Sequence, residues 1–554
     1  MSFTAGGSGN SAFFRLNGFN ETVQGIQTTV GQSSVIENNG PAESLSTLTV
    51  NTAAENYTYD GIIRNASVGT SIFALTKRGT GTLTLASTAA VGPNSYTGGT
   101  FIEEGKMVLE NLTGFASPII INSLEAGALT INQTTRGLAI NAIISGAGAM
   151  IKNGPGDLTL GGANTINGTV TLNDGILGIG SPGALGNATI ILNGGNIRAA
   201  GAARTVSNPL VVNGSFTLGR LTDFLGPITL NADATITGDN PDGPANFNSL
   251  LGPIGGNFRV SFAEGPNGLG TGAIIVSSFN SNTGGTAVLS GRVNVAAGGS
   301  LAEAPLSVQG GILNLQNAIQ TVTELSGTGG EINFQNGHML TVNQGTDSTF
   351  AGALSGSGTL TKSGQGALTL SGTSFGFFGP VAVNDGALIV TGALTGSNVS
   401  VNGATLGGNG SVGAVVSAGG IVAPGVGVGT LAMNSLELDE TSVWKFELST
   451  PEIVGSQTND LLQINGSLVL NGTVELTLLP GFGGGTYRLA DYTGAFTDNG
   501  LSLDPAFLQL YPGSSIDTET AGQVNLIVVP EPGSAVLLLG GLCALVGFRR
   551  QRRS

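Results

Sequence analysis

The side chains best suited to hydrolytic chemistry in this chain are carboxylates that stand beside glycine. Asp174 precedes Gly175, and Glu103 and Glu104 precede Gly105, at equivalent positions of a recurring pattern. Glycoside hydrolysis requires two carboxyl groups facing one cleft, so these acids are the candidates for it. Because Asp before Gly also forms tight turns, a structural role explains the same placement, and we favour that interpretation.

Three lysines recur at one position of the same pattern, namely Lys77, Lys152 and Lys362. A polysaccharide lyase would need a basic proton acceptor beside metal-binding acids, yet no Asp-rich cluster in the sequence accompanies a Lys or an Arg. A catalytic residue occurs once, whereas these lysines return with each copy. We therefore interpret them as parts of the repeating unit.

Other reactive residue types give no assembled site. His338, the single histidine, has no Cys or carboxylate neighbours with which to bind zinc, and we predict a surface or turn residue. No serine stands in a nucleophile elbow with a plausible base, and the glycines of 481–485 lack the Lys and Ser/Thr of a phosphate loop. Asp157, Asp174 and Asp385 are too scattered for a calcium repeat. The sequence predicts a non-enzymatic protein without metal or cofactor.

The composition favours an extracytoplasmic β architecture. Glycine accounts for 93 of 554 residues, 10% of residues are charged and 40% are hydrophobic. Glycine without a three-residue period excludes collagen, and the apolar fraction is too high for a disordered chain. The formal net charge of −15 argues against nucleic acid as a partner, since nucleic acid requires basic patches. Cys543 is the only cysteine, so backbone ladders rather than disulfides must stabilise the fold.

A pattern of the form Lys-x-Gly-x-Gly-x-Leu-Thr-Leu occurs within residues 75–85, 150–160 and 360–370, and a weaker copy without lysine covers 270–276. A second pattern follows each lysine-containing copy and is centred on Gly105, Gly175 or Gly386. Apolar and polar residues alternate with period two, which predicts strands. Asn–Gly pairs predict turns with positive φ, and the pairs we single out begin at Asn17, Asn153, Asn167, Asn193, Asn213, Asn336, Asn402, Asn465 and Asn471.

These units resemble the autotransporter-associated β-strand repeat over about residues 76–423. The resemblance implies an all-β chain folded as a right-handed parallel β-helix. With about 20–25 residues per coil and about 4.8 Å between strands, some 500 residues would form a rod on the order of 100 Å long. We expect N-terminal coils at 1–75, the repeat β-helix at 76–425, a β-rich cap at 426–520, and a linker with a sorting segment at 521–554.

The C-terminus combines three features: the tripeptide Pro530-Glu531-Pro532, an apolar run and a basic end. The run from Ala535 to Phe548 would make only about 21 Å of helix, short of a bilayer core of about 30 Å. A basic cluster stays on the cytoplasmic side, which places the larger part of the chain outside the inner membrane. The segment residues include Leu538, Leu542 and Val546, and the basic end consists of Arg549, Arg550, Arg552 and Arg553.

This order of features resembles the PEP-CTERM sorting signal of Gram-negative envelope proteins. The resemblance implies that an exosortase recognises Pro530, Glu531 and Pro532, removes the apolar helix, and leaves a protein that is only transiently anchored in the inner membrane. A plain single-pass anchor is the alternative. The chain begins without the basic and apolar stretches of a secretory signal, so we expect a truncated or misassigned start.

The sequence therefore favours an exported, non-enzymatic structural protein of the cell surface or extracellular polysaccharide matrix, with an adhesin-like role. A β-helical protein that binds or degrades polysaccharide, as a lyase or glycosidase, is the alternative, and convergence of acids with Lys or Arg on one face would distinguish it. An autotransporter passenger is a further possibility, but the chain ends in a short apolar segment instead of alternating barrel strands.

Overall fold

A computed structural model describes residues 2–3, 12–28, 34–87, 93–240, 248–270, 272–316, 319–335 and 337–529. The chain divides into two compact units, residues 1–302 and residues 303–554. Within the described residues, no helix has the length and the apolar character needed to cross a membrane. The predicted membrane segment at 535–548, the sorting tripeptide and the basic end all lie outside the described residues.

The first unit consists of short strands joined by turns. In chain order they are β1 (Ser2–Phe3), β2 (Ala12–Arg15), β3 (Glu21–Val23), β4 (Gln27–Thr28), β5 (Ser34–Glu37), β6 (Leu45–Asn51), β7 (Tyr57–Tyr59), β8 (Ile62–Arg64), β9 (Ile72–Arg78), β10 (Thr82–Ala86), β11 (Thr100–Ile102), β12 (Lys106–Glu110), β13 (Ile119–Ile121), β14 (Leu129–Asn132), β15 (Leu138–Ile140), β16 (Ile144–Gly146), β17 (Met150–Asn153), β18 (Asp157–Leu160), β19 (Thr165–Ile166), β20 (Thr169–Leu172), β21 (Ile176–Ile179), β22 (Thr189–Leu192), β23 (Asn196–Ala199), β24 (Arg204–Val206), β25 (Leu210–Val212), β26 (Phe216–Gly219), β27 (Thr222–Phe224), β28 (Ile228–Leu230), β29 (Ala234–Asp239), β30 (Asn248–Leu251), β31 (Ile254–Gly256), β32 (Val260–Glu264), β33 (Ala273–Val276), β34 (Thr286–Val288) and β35 (Arg292–Val295).

These strands stack as parallel ladders, one strand from each coil. The longest ladder of the first unit has the order β7-β10-β12-β14-β17-β20-β22-β25-β28-β31, and a second has the order β3-β6-β9-β11-β13-β16-β19. Along the longest ladder the aligned residues Leu83, Met107, Leu129, Met150 and Val170 are 20 to 24 positions apart, and all five are fully buried. This confirms the predicted parallel β-helix, whose core is a continuous stack of inward apolar side chains.

The second unit continues the same construction. Its elements are β36 (Pro305–Val308), β37 (Ile312–Leu315), β38 (Ile319–Val322), β39 (Glu324–Ser326), β40 (Glu331–Phe334), β41 (Met339–Asn343), β42 (Ser348–Phe350), β43 (Ala353–Gly356), β44 (Thr359–Ser363), β45 (Ala367–Leu370), β46 (Val381–Val383), β47 (Ala387–Val390), β48 (Ala393–Leu394), β49 (Val399–Asn402), β50 (Thr405–Gly408), β51 (Ser411–Ala418), β52 (Ile421–Pro424), β53 (Thr430–Leu438), β54 (Val443–Leu448), β55 (Leu461–Ile464), β56 (Leu468–Leu478), β57 (Gly485–Tyr492), β58 (Phe496–Leu503), α1 (Pro505–Leu510), β59 (Ser515–Asp517) and β60 (Gln523–Val528).

The second unit ends in a β-rich cap. Parallel pairing runs through β54, β56 and β58, whereas β60 pairs antiparallel with β57 and β59. Phe482 stacks on Tyr487 with ring centroids 5.0 Å apart and also contacts Phe507 and Tyr511, so an aromatic cluster lies within this cap. Residues 523–528, within the segment where we expected a linker, form its last strand. Trp444 is fully buried in β54 and belongs to the parallel coils.

The glycines of the Asn–Gly pairs fall into two groups that differ in backbone conformation. Gly18, Gly154, Gly337, Gly403 and Gly472 have the predicted positive φ. At Gly168, Gly194, Gly214 and Gly466 the φ lies outside that region, and a Cβ would stand 2.3 to 2.8 Å from a carbonyl oxygen of the preceding coil. At these four positions the prediction of a positive-φ turn is wrong, because it is the close stacking of coils that requires glycine there.

The asparagines of several pairs form an outward amide ladder. Asn153 donates from Nδ2 to Oδ1 of Asn132, one coil earlier, at 3.1 Å. In each of the next four coils an asparagine donates in the same way to the asparagine of the coil before it, at 2.6 to 3.0 Å; these donors are Asn173, Asn193, Asn213 and Asn231. Members one coil apart therefore stabilise each other, a contact that no local turn rule predicts.

Candidate functional site

The repeat lysines are the best-defined polar centres of the fold. Lys77 is fully buried, and its Nζ donates to the backbone oxygens of Arg78 (2.9 Å), Gly79 (2.6 Å) and Glu104 (3.1 Å). The first two oxygens belong to the turn between β9 and β10, and the third belongs to the next coil. We call this arrangement a lysine node.

The same node is built at the other two copies. Lys152 donates to Asn153, Gly154 and Asp174, and Lys362 donates to Ser363, Gly364 and Asp385, with every distance within 0.1 Å of its counterpart in the first node. The prediction that the lysines are structural parts of the repeat agrees with this geometry, because each ammonium group joins the turn of one coil to the turn of the next.

The glycine of the second pattern completes each node. Gly175 has φ +73°, and a Cβ there would stand 2.3 Å from the Gly154 oxygen and 2.9 Å from Lys152 Nζ. Gly105 has φ +64° and equivalent contacts around Lys77. The backbone must approach this closely for Lys Nζ to reach the carbonyl of the following coil, so lysine and glycine depend on each other.

Burial controls the electrostatics of the nodes. It lowers the pKa of Lys77 to about 8, against the attraction of Glu125 and Glu104, and it also lowers the pKa of Lys152 and Lys362. The hydrogen-bond partners of all three ammonium groups are backbone carbonyls, two from the lysine's own turn and one from the next coil. This arrangement joins neighbouring coils.

The candidate carboxylates are engaged in structural hydrogen bonds, Asp174 within its own turn and Glu103 and Glu104 with neighbouring coils. Glu104 accepts a hydrogen bond from the Gly79 amide (2.9 Å) and Asp174 from the Gly175 amide (2.7 Å), while Glu103 accepts from the Asn122 side chain (3.1 Å). Asp174 lines an open groove of about 380 Å³, and it is the one carboxylate among the described residues of that lining. The structure thus does not bring these acids together as a hydrolytic pair.

The structure instead brings Lys445, Glu447 and Asp460 together, which sequence reasoning missed. They line one cavity of about 240 Å³ in the second unit. Asp460 is 1% exposed, and its two oxygens accept from the amides of Gly429 (2.7 Å) and Glu447 (2.6 Å). Burial raises the pKa of Asp460 to about 7. The period-two spacing of Lys445 and Glu447 in β54 predicts that these two side chains share one face of the strand. The sequence around Asp460 gives no signal that this carboxyl lines the same cavity.

The remaining candidates lie apart from this cavity. His338 is partly buried in the turn before β41, and its amide donates to the Gln335 oxygen (3.2 Å). Across the residues that the structure describes, no group of three or more His, Cys, Asp or Glu side chains could hold a metal ion. The last described residue before the sorting tripeptide, Val529, donates its amide to Ser514 Oγ (3.3 Å), directly after β60.

The stacked coils and their nodes define a repeat-built parallel β-helix. Comparison with known families is consistent with this class: the passenger-associated-transport-repeat matches residues 75–109, 150–179 and 360–390, so each matched copy contains one lysine node. The PEP-CTERM protein-sorting motif matches residues 528–553. The chain thus carries three copies of this repeat and a sorting motif, as the sequence predicted.

Among curated proteins, the chain is similar to a protein named adhesin BmaC autotransporter from Brucella suis biovar 1 (strain 1330). The two are 28% identical over 650 aligned residues, which cover 87% of this chain and 18% of the other protein. The chain thus spans less than a fifth of the length of this relative.

Proposed function

We propose that this chain is an exported, non-enzymatic structural protein of the Gram-negative cell surface or extracellular matrix, with an adhesin-like role. The observation that carries the proposal is the PEP-CTERM match at 528–553, which begins at the last residue of β60, in the cap that follows the repeat-built β-helix. The adhesin name of the relative supports the surface role. The expected partners are an exosortase, an extracellular polysaccharide or the envelope surface, and, transiently, the inner membrane through residues 535–548.

The fold suits display at a surface. Each coil adds polar side chains at a fixed spacing of about 4.8 Å, and the amide ladder from Asn132 to Asn231 is a rigid, outward example of this. Such rows can offer many weak contacts at once, which together give avidity. Because a core without disulfides is held by ladders and nodes, the displayed surface keeps its spacing outside the cell.

The test is processing at the C-terminus. The chain, fused to a secretory signal peptide, is produced in a host that has an exosortase and in the same host without it, and the intact mass is measured in membrane, surface and medium fractions. We expect a product lacking the segment after Pro530–Pro532 in the first host only. Glu531→Ala should abolish this processing, and Glu519→Ala, an exposed acid of the cap, is the matched control. Full-length protein in the inner membrane of both hosts would refute the proposal and favour a plain anchor.

A second candidate function is supported by the Lys445–Glu447–Asp460 cavity. Acids and a lysine on one face distinguish a polysaccharide-binding or polysaccharide-degrading β-helix from a purely structural one. Since both Asp460 oxygens accept amide hydrogen bonds, that carboxyl is used to hold backbone. The geometry therefore favours binding over hydrolysis within this alternative.

A further inference from the structure

One outer sheet face of the second unit carries two cavities side by side. The first, of about 370 Å³, is lined by nine residues: Asp347, Ser348, Thr349, Ala367, Thr369, Ile389, Thr391, Gly425 and Val426. The second is the cavity of about 240 Å³ that contains Lys445, Glu447 and Asp460, and Gly425 lines it as well. The two cavities are therefore neighbours that share one wall.

The floor under both cavities is a continuous parallel ladder. The residues of one outward row are aligned strand by strand as Thr349, Thr369, Ile389, Gly407 and Ala423. The strands that contribute to the lining are β42, β45, β47, β50, β52 and β54, so five steps of about 4.8 Å give a length of about 24 Å. This length accommodates several linked sugar rings, and Gly407 and Ala423 keep their part of the floor low.

The shared wall is the loop Gly425-Val426-Gly427-Val428-Gly429. Gly425 has φ +94°, and its amide donates to the Gly408 oxygen at 2.7 Å. Asp460 Oδ1 accepts from the Gly429 amide at the other end of the loop. Val426 is 65% exposed at the tip. Because both ends are pinned, the wall is ordered before any ligand binds, which lowers the entropic cost of binding.

The lining chemistry points to one class of ligand. Thr349, Thr369, Thr391 and Thr405 line the cavities, and the described structure gives none of their hydroxyls an internal hydrogen-bond partner. Hydroxyls both donate and accept, which matches a chain of sugar hydroxyls. The charged lining residues are Asp347, Lys445, Glu447 and Asp460, an acidic excess that disfavours polyanions.

We propose that this two-cavity groove binds a linear, uncharged, hydroxyl-rich glycan chain, laid across the strands of the face and passing the Gly425–Gly429 wall. The inference rests on the proposed surface function, for which it supplies the ligand class and the site. Glu447 and Lys445 then contact the end of the chain beyond the wall, while Thr349 and Thr369 contact its opposite end.

The test is calorimetric titration of the full-length chain, kept in mild detergent, with cellohexaose, xylohexaose, maltohexaose and polygalacturonate as probes. We expect at least one neutral hexasaccharide to bind with Kd of about 1 mM or tighter, and polygalacturonate to bind at least tenfold more weakly. Thr369→Trp fills the floor and should weaken binding about tenfold or more. Thr361→Trp, on an outward position of β44 that lines neither cavity, is the matched control.

Thr349→Trp provides a second obstruction in case Thr369→Trp folds poorly, as judged by circular dichroism. The proposal is overturned if none of the three neutral hexasaccharides binds at about 5 mM, or if binding survives in a folded Trp variant of the groove. The processing assay is independent of this titration. A processed surface protein that binds no hexasaccharide refutes the groove alone, and binding by a chain that is never processed or exported refutes the surface function alone.

Discussion

Replacing Lys77 by Met tests the lysine node most directly. Methionine keeps the apolar stem of the side chain but removes the ammonium group. Arg78 O retains a hydrogen bond from the Thr52 amide (3.0 Å), whereas the oxygens of Gly79 and Glu104 lose the Lys77 bond. A hydrogen bond to a charged group contributes about 1.5–3 kcal/mol, so the two lost bonds, one at the buried Gly79 and one at the exposed Glu104, sum to about 3–6 kcal/mol.

The burial of the lysine charge offsets part of that loss. A pKa lowered from 10.5 to about 8 corresponds to a penalty on the order of 3 kcal/mol for the charged form, and methionine removes it. The hydrogen bonds and this penalty oppose each other, which leaves about 0–3 kcal/mol in favour of the bonds, and we expect the middle of that range, about 1.5 kcal/mol. Lys106→Met, which removes an outward lysine of β12, should change stability by less than about 0.5 kcal/mol.

The assay is hydrogen exchange measured by mass spectrometry on peptides that cover residues 77–81 and 103–106. A loss of about 1.5 kcal/mol in local opening free energy should speed exchange there roughly tenfold, with little change in the coils of the second unit. A local readout is needed because unfolding of a solenoid need not be two-state. Equal exchange in Lys77→Met and Lys106→Met would show that the node contributes nothing.

The pH dependence gives an independent check of the same node. The pKa is about 8 in the folded chain and 10.5 in the unfolded chain, so between these values the unfolded state binds more protons and the node gains stability as pH rises. The difference in local protection between the wild type and Lys77→Met should therefore grow from pH 8 to 10.5. A difference that shrinks over this range would contradict the assigned burial penalty.

Two further substitutions test the close coil contacts and the loop anchor. Gly175→Ala should destabilise its coil by about 2 kcal/mol more than Gly201→Ala does. Both glycines have positive φ, but only at Gly175 would an added Cβ stand against the backbone of another coil. Equal melting temperatures of the two variants would contradict this prediction. For Asp460 the folded pKa of about 7 lies above the ordinary 3.8, so its contribution to stability is fully present below about pH 4 and is lost as pH rises to about 7. Asp460→Asn should flatten that part of the stability profile, and an unchanged slope from pH 4 to 7 in thermal melts would refute the assignment.

Most of the fold could be predicted from the repeat pattern, because that pattern is visible in short segments of the sequence. Alternation in Leu83-Thr84-Leu85 requires a strand with one buried face, and recurrence of the unit requires stacking, since one coil cannot bury its apolar face alone. The structural interpretation of Lys77, Lys152 and Lys362 also followed from recurrence. The partners of these lysines did not, because Glu104 lies 27 positions beyond Lys77 and meets it only when the coils close.

The same distinction separates the correct interpretation of Asn153-Gly154 from the wrong one of Asn193-Gly194. Both pairs look alike to a turn rule, which considers only neighbouring residues. In the structure Gly154 has φ +77°, whereas Gly194 has no positive φ. A Cβ added to Gly194 would stand 2.8 Å from the Asn173 oxygen of the preceding coil. The difference arises from the neighbouring coil, whose position no short segment encodes.

By itself the sequence determined the all-β class, the parallel β-helix, the coil length, the repeat lysines and the sorting motif at Pro530-Glu531-Pro532. These features follow from side-chain period, recurrence and local composition, all of which are read along the chain. Only the tertiary structure decided the lysine nodes, the amide ladder and the groove walled by Gly425–Gly429. Each of these joins residues from different coils, and which residues meet is set by the number of residues in every intervening coil.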